Sequence, residues 1–218
     1  MHEFLNQSAE YLPVLLTGLR LTIAVTVLAL CLASVLGLVW ALLRTSGIPA
    51  LAVPTRIFVE FVRGIPILVI LFYIYFVMPE IGIQLTAFQA GVIGLALTYS
   101  CYIGETFRAG IEAVDKGQVE AAMSIGMKRP LMMRRVVLPQ AFKIVLPPYA
   151  NNTIMLLKDS SQVSVISVAE LTMQGKMLAS STFNNLTVFT LVALLYLCLT
   201  IPMNFVLRRA ETAMGRTR

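Results

Sequence analysis

Asn151 and Asn152 follow Pro147-Pro148 in a stretch that is otherwise largely apolar. A carboxamide both donates and accepts hydrogen bonds, so the pair can hold the charged ends of a small polar solute or bond a neighbouring helix; on residue type alone both readings stand. Thr98, Tyr99, Ser100 and Tyr102 form a second polar cluster, able to wall a pocket or to pack with their hydroxyls satisfied between helices. Lys158 and Asp159 are adjacent, so on a helix they point apart and each needs its own partner or water. Glu60 and Arg63, and again Glu105 and Arg108, are three residues apart. That spacing lets each pair close an ion pair on one helical face, as a structural tie or a gate.

Other chemistry has little to work with. His2 is the single histidine, and Cys31, Cys101 and Cys198 have no metal-ligand spacing, so neither a metal site nor histidine-based catalysis is expected. No paired carboxylates form a plausible constellation for an intramembrane enzyme. No GxxxxGK[ST] run occurs, so the chain is expected to bind no nucleotide itself.

The elements that must carry these residues are membrane helices. The chain is 58% hydrophobic and 13% charged, against about 25% charged for a soluble domain. Leu21 to Leu43 is uncharged and long enough to span a bilayer. The expected fold is all-α and transmembrane, one domain over residues 1–218. Five spans are expected, near residues 15–43, 57–78, 85–106, 144–171 and 184–207. The fourth is too polar for a helix bathed in lipid and fits one buried among others or lining a water-filled path. Met1 to Tyr11 carries Glu3 and Glu10 where a cleavable signal would be basic, so it is read as part of the protein.

Five spans also sort the basic residues, and this assigns the chain's net charge of +6 to membrane orientation and not to nucleic-acid binding. Arg44, Arg56 and Arg63, seven Lys/Arg between Arg108 and Lys143, and Arg208, Arg209, Arg216 and Arg218 fall on one side. Only Arg20, Lys158 and Lys176 fall elsewhere. The N-terminus is therefore expected outside, and the C-terminus in the cytoplasm with the basic loop of residues 107–143. Phe72, Tyr73, Tyr75 and Phe76 would form an aromatic belt at the outer leaflet. No 20–50-residue repeat and no inverted duplication is visible, which disfavours many secondary-transporter designs.

Within the basic loop, Val119, Ala122, Met123 and Gly126 recur at helical spacing and predict one small apolar face. Gly126 suits a left-handed stop, and Pro130 suits the first turn of a second helix ending at Pro139. This two-helix elbow can be an ordinary surface loop or a handle for another protein. Glu120-Ala121-Ala122, then Gly126, then Val136-Val137-Leu138-Pro139 with Gln140-Ala141, resembles the signature loop of the integral membrane subunits of bacterial ABC importers. Glu60 to Pro66 (EFVRGIP), Glu105 to Ile111 (ETFRAGI), Leu157 to Ser161 (LKDSS) and Val168 to Leu171 (VAEL) resemble the polar amino acid permease branch of that family. The resemblance covers nearly the whole chain in order.

The resemblance implies an ATP-driven importer subunit that moves a polar amino acid by alternating access. The elbow, with Glu120, Ala121, Ala122, Gly126 and Pro139, would dock into a cytoplasmic ATPase, which supplies the ATP and Mg chemistry. Two ATPase copies, a second permease (identical or related) and an extracytoplasmic binding protein are the implied partners, in a bacterial inner membrane. The resemblance also places a ligand site around Asn151 and Asn152, with Thr98, Tyr99, Ser100 and Tyr102 able to complete it. Relatives that move arginine or histidine tend to carry Glu where Asn152 stands, so a neutral polar or acidic amino acid is favoured over a basic one. The competing reading is an ion-coupled secondary transporter with Glu60 or Glu105 as proton carrier; it gives no reason for the elbow.

Overall fold

The computed structural model describes residues 2–215, so Arg216 and Arg218 of the charge sorting lie outside the described residues. Every element is helical. The order is α1 (His2–Thr45), α2 (Pro49–Arg63), α3 (Ile67–Phe72), α4 (Ala87–Glu112), α5 (Lys116–Ser124), α6 (Arg129–Met132), α7 (Leu138–Asp159), α8 (Leu171–Thr182) and α9 (Asn185–Gly215).

Among the described residues, three helices are long and apolar enough to cross a membrane: Asn6–Thr45, Ala87–Glu112 and Asn185–Arg209. A fourth is a broken element, Pro49–Arg63 plus Ile67–Ile81, bent by 99°. The uniform helix expected over residues 57–78 is thus two pieces. Pro66 lacks an N–H and disfavours helix in the residue before it; α2 stops at Gly64 and α3 restarts behind Pro66. The element expected over residues 144–171 differs too. Helix α7 starts earlier, ends at Asp159, and is followed by a 3-10 turn, Ser160–Ile166, and a loop into α8. Its amides and charges keep it below the apolarity of a free-standing span, while Pro147 and Pro148 lie inside it without ending it.

Helices α1 and α4 form the most extensive pair, and glycine is the reason they come so close. A Cβ on Gly37 would sit 3.0 Å from the Gly104 nitrogen and 3.0 Å from the Ser100 carbonyl oxygen. Backbone atoms cannot step aside, so only a glycine pair permits this approach. Around the contact lies the main core, with Leu71, Leu95, Ile103, Leu156 and Val163 fully buried. A capping box between Thr86 and Gln89 starts α4, satisfying two of the N–H groups that a helix start leaves open.

A second core joins the first third of α1 (Tyr11, Leu15) to α8 and α9 (Leu171, Val188, Val192). Glu170 sits at its edge, 0% exposed. Its carboxylate accepts from Met173 N–H (2.9 Å), the Tyr196 hydroxyl (2.9 Å) and the Thr22 hydroxyl (3.3 Å). One buried acid therefore ties three helices and caps α8.

The elbow takes its expected form at its first half. Asp115 caps α5 by accepting from Gly117 N–H at 2.7 Å. Gly126 has φ +78°, and the bonds Met127 N–H to Ala122 O and Gly126 N–H to Met123 O make the paired C-terminal closure that favours glycine. Pro130 lies in the first turn of α6. The second half departs from expectation: no break occurs at Pro139. A π-turn, Met133–Val137, joins α6 to α7, with Leu138 N–H bonded to Met133 O. The wider turn lengthens the hydrogen-bond loop where Pro139 would otherwise meet the carbonyl four residues back.

Candidate functional site

The break at Gly64-Ile65-Pro66 opens a cavity of about 320 Å³. Its wall brings together Arg63 from the end of α2, Tyr99 and Tyr102 from α4, and Asp159 from the end of α7, with Thr98 beside them. Asp159 accepts from the Tyr99 hydroxyl at 2.7 Å and from Gln162 Nε2 at 3.3 Å. The Arg63 guanidinium lies 5.2 Å from the centre of the Tyr102 ring, a cation–π distance. Helix α3 begins behind Pro66, and its first residue, Ile67, joins the lining. A cation thus lines a cavity that also holds a carboxylate. Such a set can grip a carboxylate and an ammonium of one solute.

The expected site residues separate into those the cavity gathers and those it does not. Thr98, Tyr99 and Tyr102 line it, with Thr98 donating to Gly94 O at 3.0 Å. Ser100 is turned away, accepting from Trp40 Nε1 at 3.0 Å as a tie between α4 and α1. Asn152 donates to the Thr106 hydroxyl at 3.0 Å, one turn along α4 from Tyr102 and outside the cavity wall. Asn151 is exposed and reaches only Met155 Sδ, at 3.8 Å. Lys158 is exposed and makes no ion pair among the described residues.

The pairing expected between Glu60 and Arg63 does not form. Glu60 bonds Arg56, one turn earlier, at 2.7 Å, and this frees Arg63 for the cavity, where α2 ends and Tyr102 offers its face. Glu105 and Arg108 do pair, with a 3.2 Å bond from Nε, and the cluster extends to Arg44 on α1 and Glu112 on α4. This chain of four charges fastens α1 to α4 just before the elbow. In the elbow, Glu120, Ala121, Gly126 and Pro139 are exposed. Ala122 is instead 4% exposed and packs with Val114, Met132 and Val137, so it holds α5 to the π-turn. Met123, expected on the same face, is 54% exposed. In the predicted aromatic belt, Phe72, Tyr73 and Phe76 are exposed and Tyr75 packs on the core.

Spacing alone makes Arg63 a tie or gate and leaves Asp159 in need of a partner of its own; only the fold sets both in one cavity wall. Both sit where a helix ends inside an apolar region, beside Gly64 and Ser160, and that signal was available.

Comparison with known proteins decides the family. Residues 33–216 match the model of the binding-protein-dependent transport system inner membrane component. The chain belongs to that family. It is therefore a multi-pass inner-membrane permease subunit of a bacterial ABC transporter, a transport component and not an enzyme, and the family implies ATPase subunits alongside it. The probable glutamine ABC transporter permease protein GlnM of Bacillus subtilis is 40% identical over 198 residues, 89% of this chain and 92% of that one. The glutamine transport system permease protein GlnP of Escherichia coli is 35% identical over 205 residues, 93% of this chain and 94% of that one. Among solved structures, an amino acid ABC transporter crystallised with histidines is 38% identical with a TM-score of 0.91, covering 96% of this chain and 98% of that one.

Proposed function

We propose that this permease imports a polar amino acid, neutral in its side chain, and that the cavity at the break in the second membrane element receives it. The observation that carries the proposal is the joining of Arg63 and Asp159 in one wall. Arg63 holds the α-carboxylate, and Asp159 holds the α-ammonium. The side chain then extends along α4 toward the Asn152–Thr106 pair, whose carboxamide and hydroxyl suit a neutral polar group and offer no carboxylate to a cationic one. The glutamine relatives named above support that choice of side chain.

The remaining machinery follows the family. Residues 1–218 act as one transmembrane domain of five spans, the broken element and α7 with its 3-10 turn included, with the N-terminus outside. Two permeases, identical or related, enclose the path. The elbow docks on the ATPase through Glu120, Ala121, Gly126 and the region of Pro139, and ATP-driven closure of two ATPase copies drives alternating access. A binding protein delivers the amino acid from outside. Ion coupling through Glu60 or Glu105 is not favoured, because Glu60 is bonded to Arg56 and Glu105 to both Arg44 and Arg108.

The test is competition for labelled glutamine on the purified permease–ATPase complex without binding protein. Glutamine should compete, and analogues lacking either the α-amine or the α-carboxylate should compete far more weakly. Equal competition by an analogue lacking either group overturns the assignment of the cavity.

A further inference from the structure

A second, larger cavity faces a different way. It is an apolar slot of about 640 Å³ between α1, α4 and α7, lined by Val35, Leu38, Phe107, Phe142 and Val145 among others. Its polar lining atoms satisfy each other: the hydroxyls of Ser34 and Tyr149 are 2.8 Å apart. Phe142 is 65% and Val35 63% exposed, so the slot is open along its length.

Helix geometry says what it opens onto. On α7, Leu138, Phe142, Val145 and Tyr149 form the slot side. Asn151, Met155 and Lys158 form another exposed row. Nine residues separate Phe142 from Asn151, two and a half turns at about 3.6 residues each, so the two rows lie on opposite sides of the helix. Hydrocarbon cannot satisfy an amide or an ammonium. The Asn151–Lys158 row must therefore face water or protein, and the wholly apolar row is the one that can face lipid.

The slot ends in a charged mouth. At the end of α1 and α4 that the basic residues assign to the cytoplasm, it borders a cavity of about 540 Å³ that shares Ile111 with it and is lined by Leu42, Glu112, Arg129 and Met133. Glu112 is engaged by Arg108. Arg129 makes no ion pair among the described residues; its guanidinium lies against the Gly47 turn, 3.7 Å from where a Cβ on that glycine would stand. An apolar slot under a free guanidinium at a membrane surface has the charge and polarity pattern of a phospholipid.

We infer that this groove is a binding site for an anionic phospholipid of the inner leaflet, with an acyl chain between α1, α4 and α7 and the phosphate at Arg129. The site lies beside the start of the elbow, so the lipid would brace the segment through which the ATPase acts.

The test uses Trp40→Phe/Phe142→Trp, which moves the single tryptophan of the chain into the groove. The permease–ATPase complex is placed in vesicles of dibrominated phosphatidylglycerol or dibrominated phosphatidylcholine, and quenching is compared. The expected result is an apparent affinity about fivefold higher for the anionic lipid, the size of one basic residue near an anionic surface, lost in Arg129→Gln. Equal quenching by both lipids overturns the proposal, as does a preference that survives Arg129→Gln. Absence of quenching by either lipid means protein covers the groove and overturns it too. Native mass spectrometry of the unaltered complex and of Arg129→Gln alone gives a second reading that leaves Trp40 in place. Phosphatidylglycerol should remain bound to the first and be depleted in the second; equal retention contradicts the site.

Discussion

Replacing Asp159 with Asn is the sharpest perturbation of the substrate cavity, because it removes a charge and almost no volume. The amide oxygen can still accept from the Tyr99 hydroxyl now bonded at 2.7 Å, so the helix end should keep its shape. What is lost is the charged partner of the substrate ammonium. A hydrogen bond to a charged group contributes about 1.5–3 kcal/mol, and about 1.4 kcal/mol is tenfold in affinity. The dissociation constant for glutamine on the purified permease–ATPase complex should therefore rise about tenfold to 150-fold. Equilibrium binding with radiolabelled glutamine measures it, without the binding protein, whose own affinity would mask the change. The same experiment with the des-amino analogue closes a double cycle: if Asp159 meets the ammonium, Asp159→Asn should cost that analogue nothing further. An unchanged dissociation constant for glutamine refutes the reasoning, and so does an equal loss for both ligands.

Further perturbations separate the scaffold from the machinery. Gly126→Asp should abolish ATP-driven uptake while membrane insertion, followed by fractionation and blotting, stays normal; normal uptake would remove the elbow from coupling. Gly37→Val should destabilise the α1–α4 pair by about 1–3 kcal/mol, the usual size of overpacking, since its Cβ meets backbone at 3.0 Å; thermal unfolding in detergent reads this, and no shift would contradict the close approach. Glu170→Ala should lower that midpoint as well, because it strips the cap from the Met173 N–H, at about 1–3 kcal/mol for a group left unpaired, and cuts the ties to Thr22 and Tyr196. Pro139→Ala should leave folding intact, as it restores an N–H at a turn already accommodated by the Met133–Val137 π-turn; a large loss of stability would show that the turn needs the proline.

What could be read from sequence follows from the range of the forces involved. The long spans of α1, α4 and α9 were legible because apolar length is a local property. Gly126 and Pro130 were equally legible, since left-handed stops and first-turn prolines depend on one residue each. The break at Gly64–Pro66 was visible as residues, but its 99° bend depends on how α3 packs on α4, which sequence does not show. Glu60 pairs with Arg56, and Arg63 lies instead over the ring of Tyr102, which is distant in sequence. Asp159 was legible as an unpaired intramembrane charge. Its partner Tyr99 lies 60 residues away, so only the fold could bring it together with Arg63. Ser100 looked like a pocket residue by neighbourhood, but one step along α4 turns it toward Trp40.

The most direct test of an ATP-driven amino acid importer is uptake into proteoliposomes holding this permease and its ATPase, with loaded binding protein outside and ATP inside. Such an importer should accumulate glutamine in a way that requires ATP hydrolysis and is indifferent to an uncoupler while ATP is held constant. Accumulation driven by a proton gradient without ATP, and collapsed by the uncoupler, would contradict it.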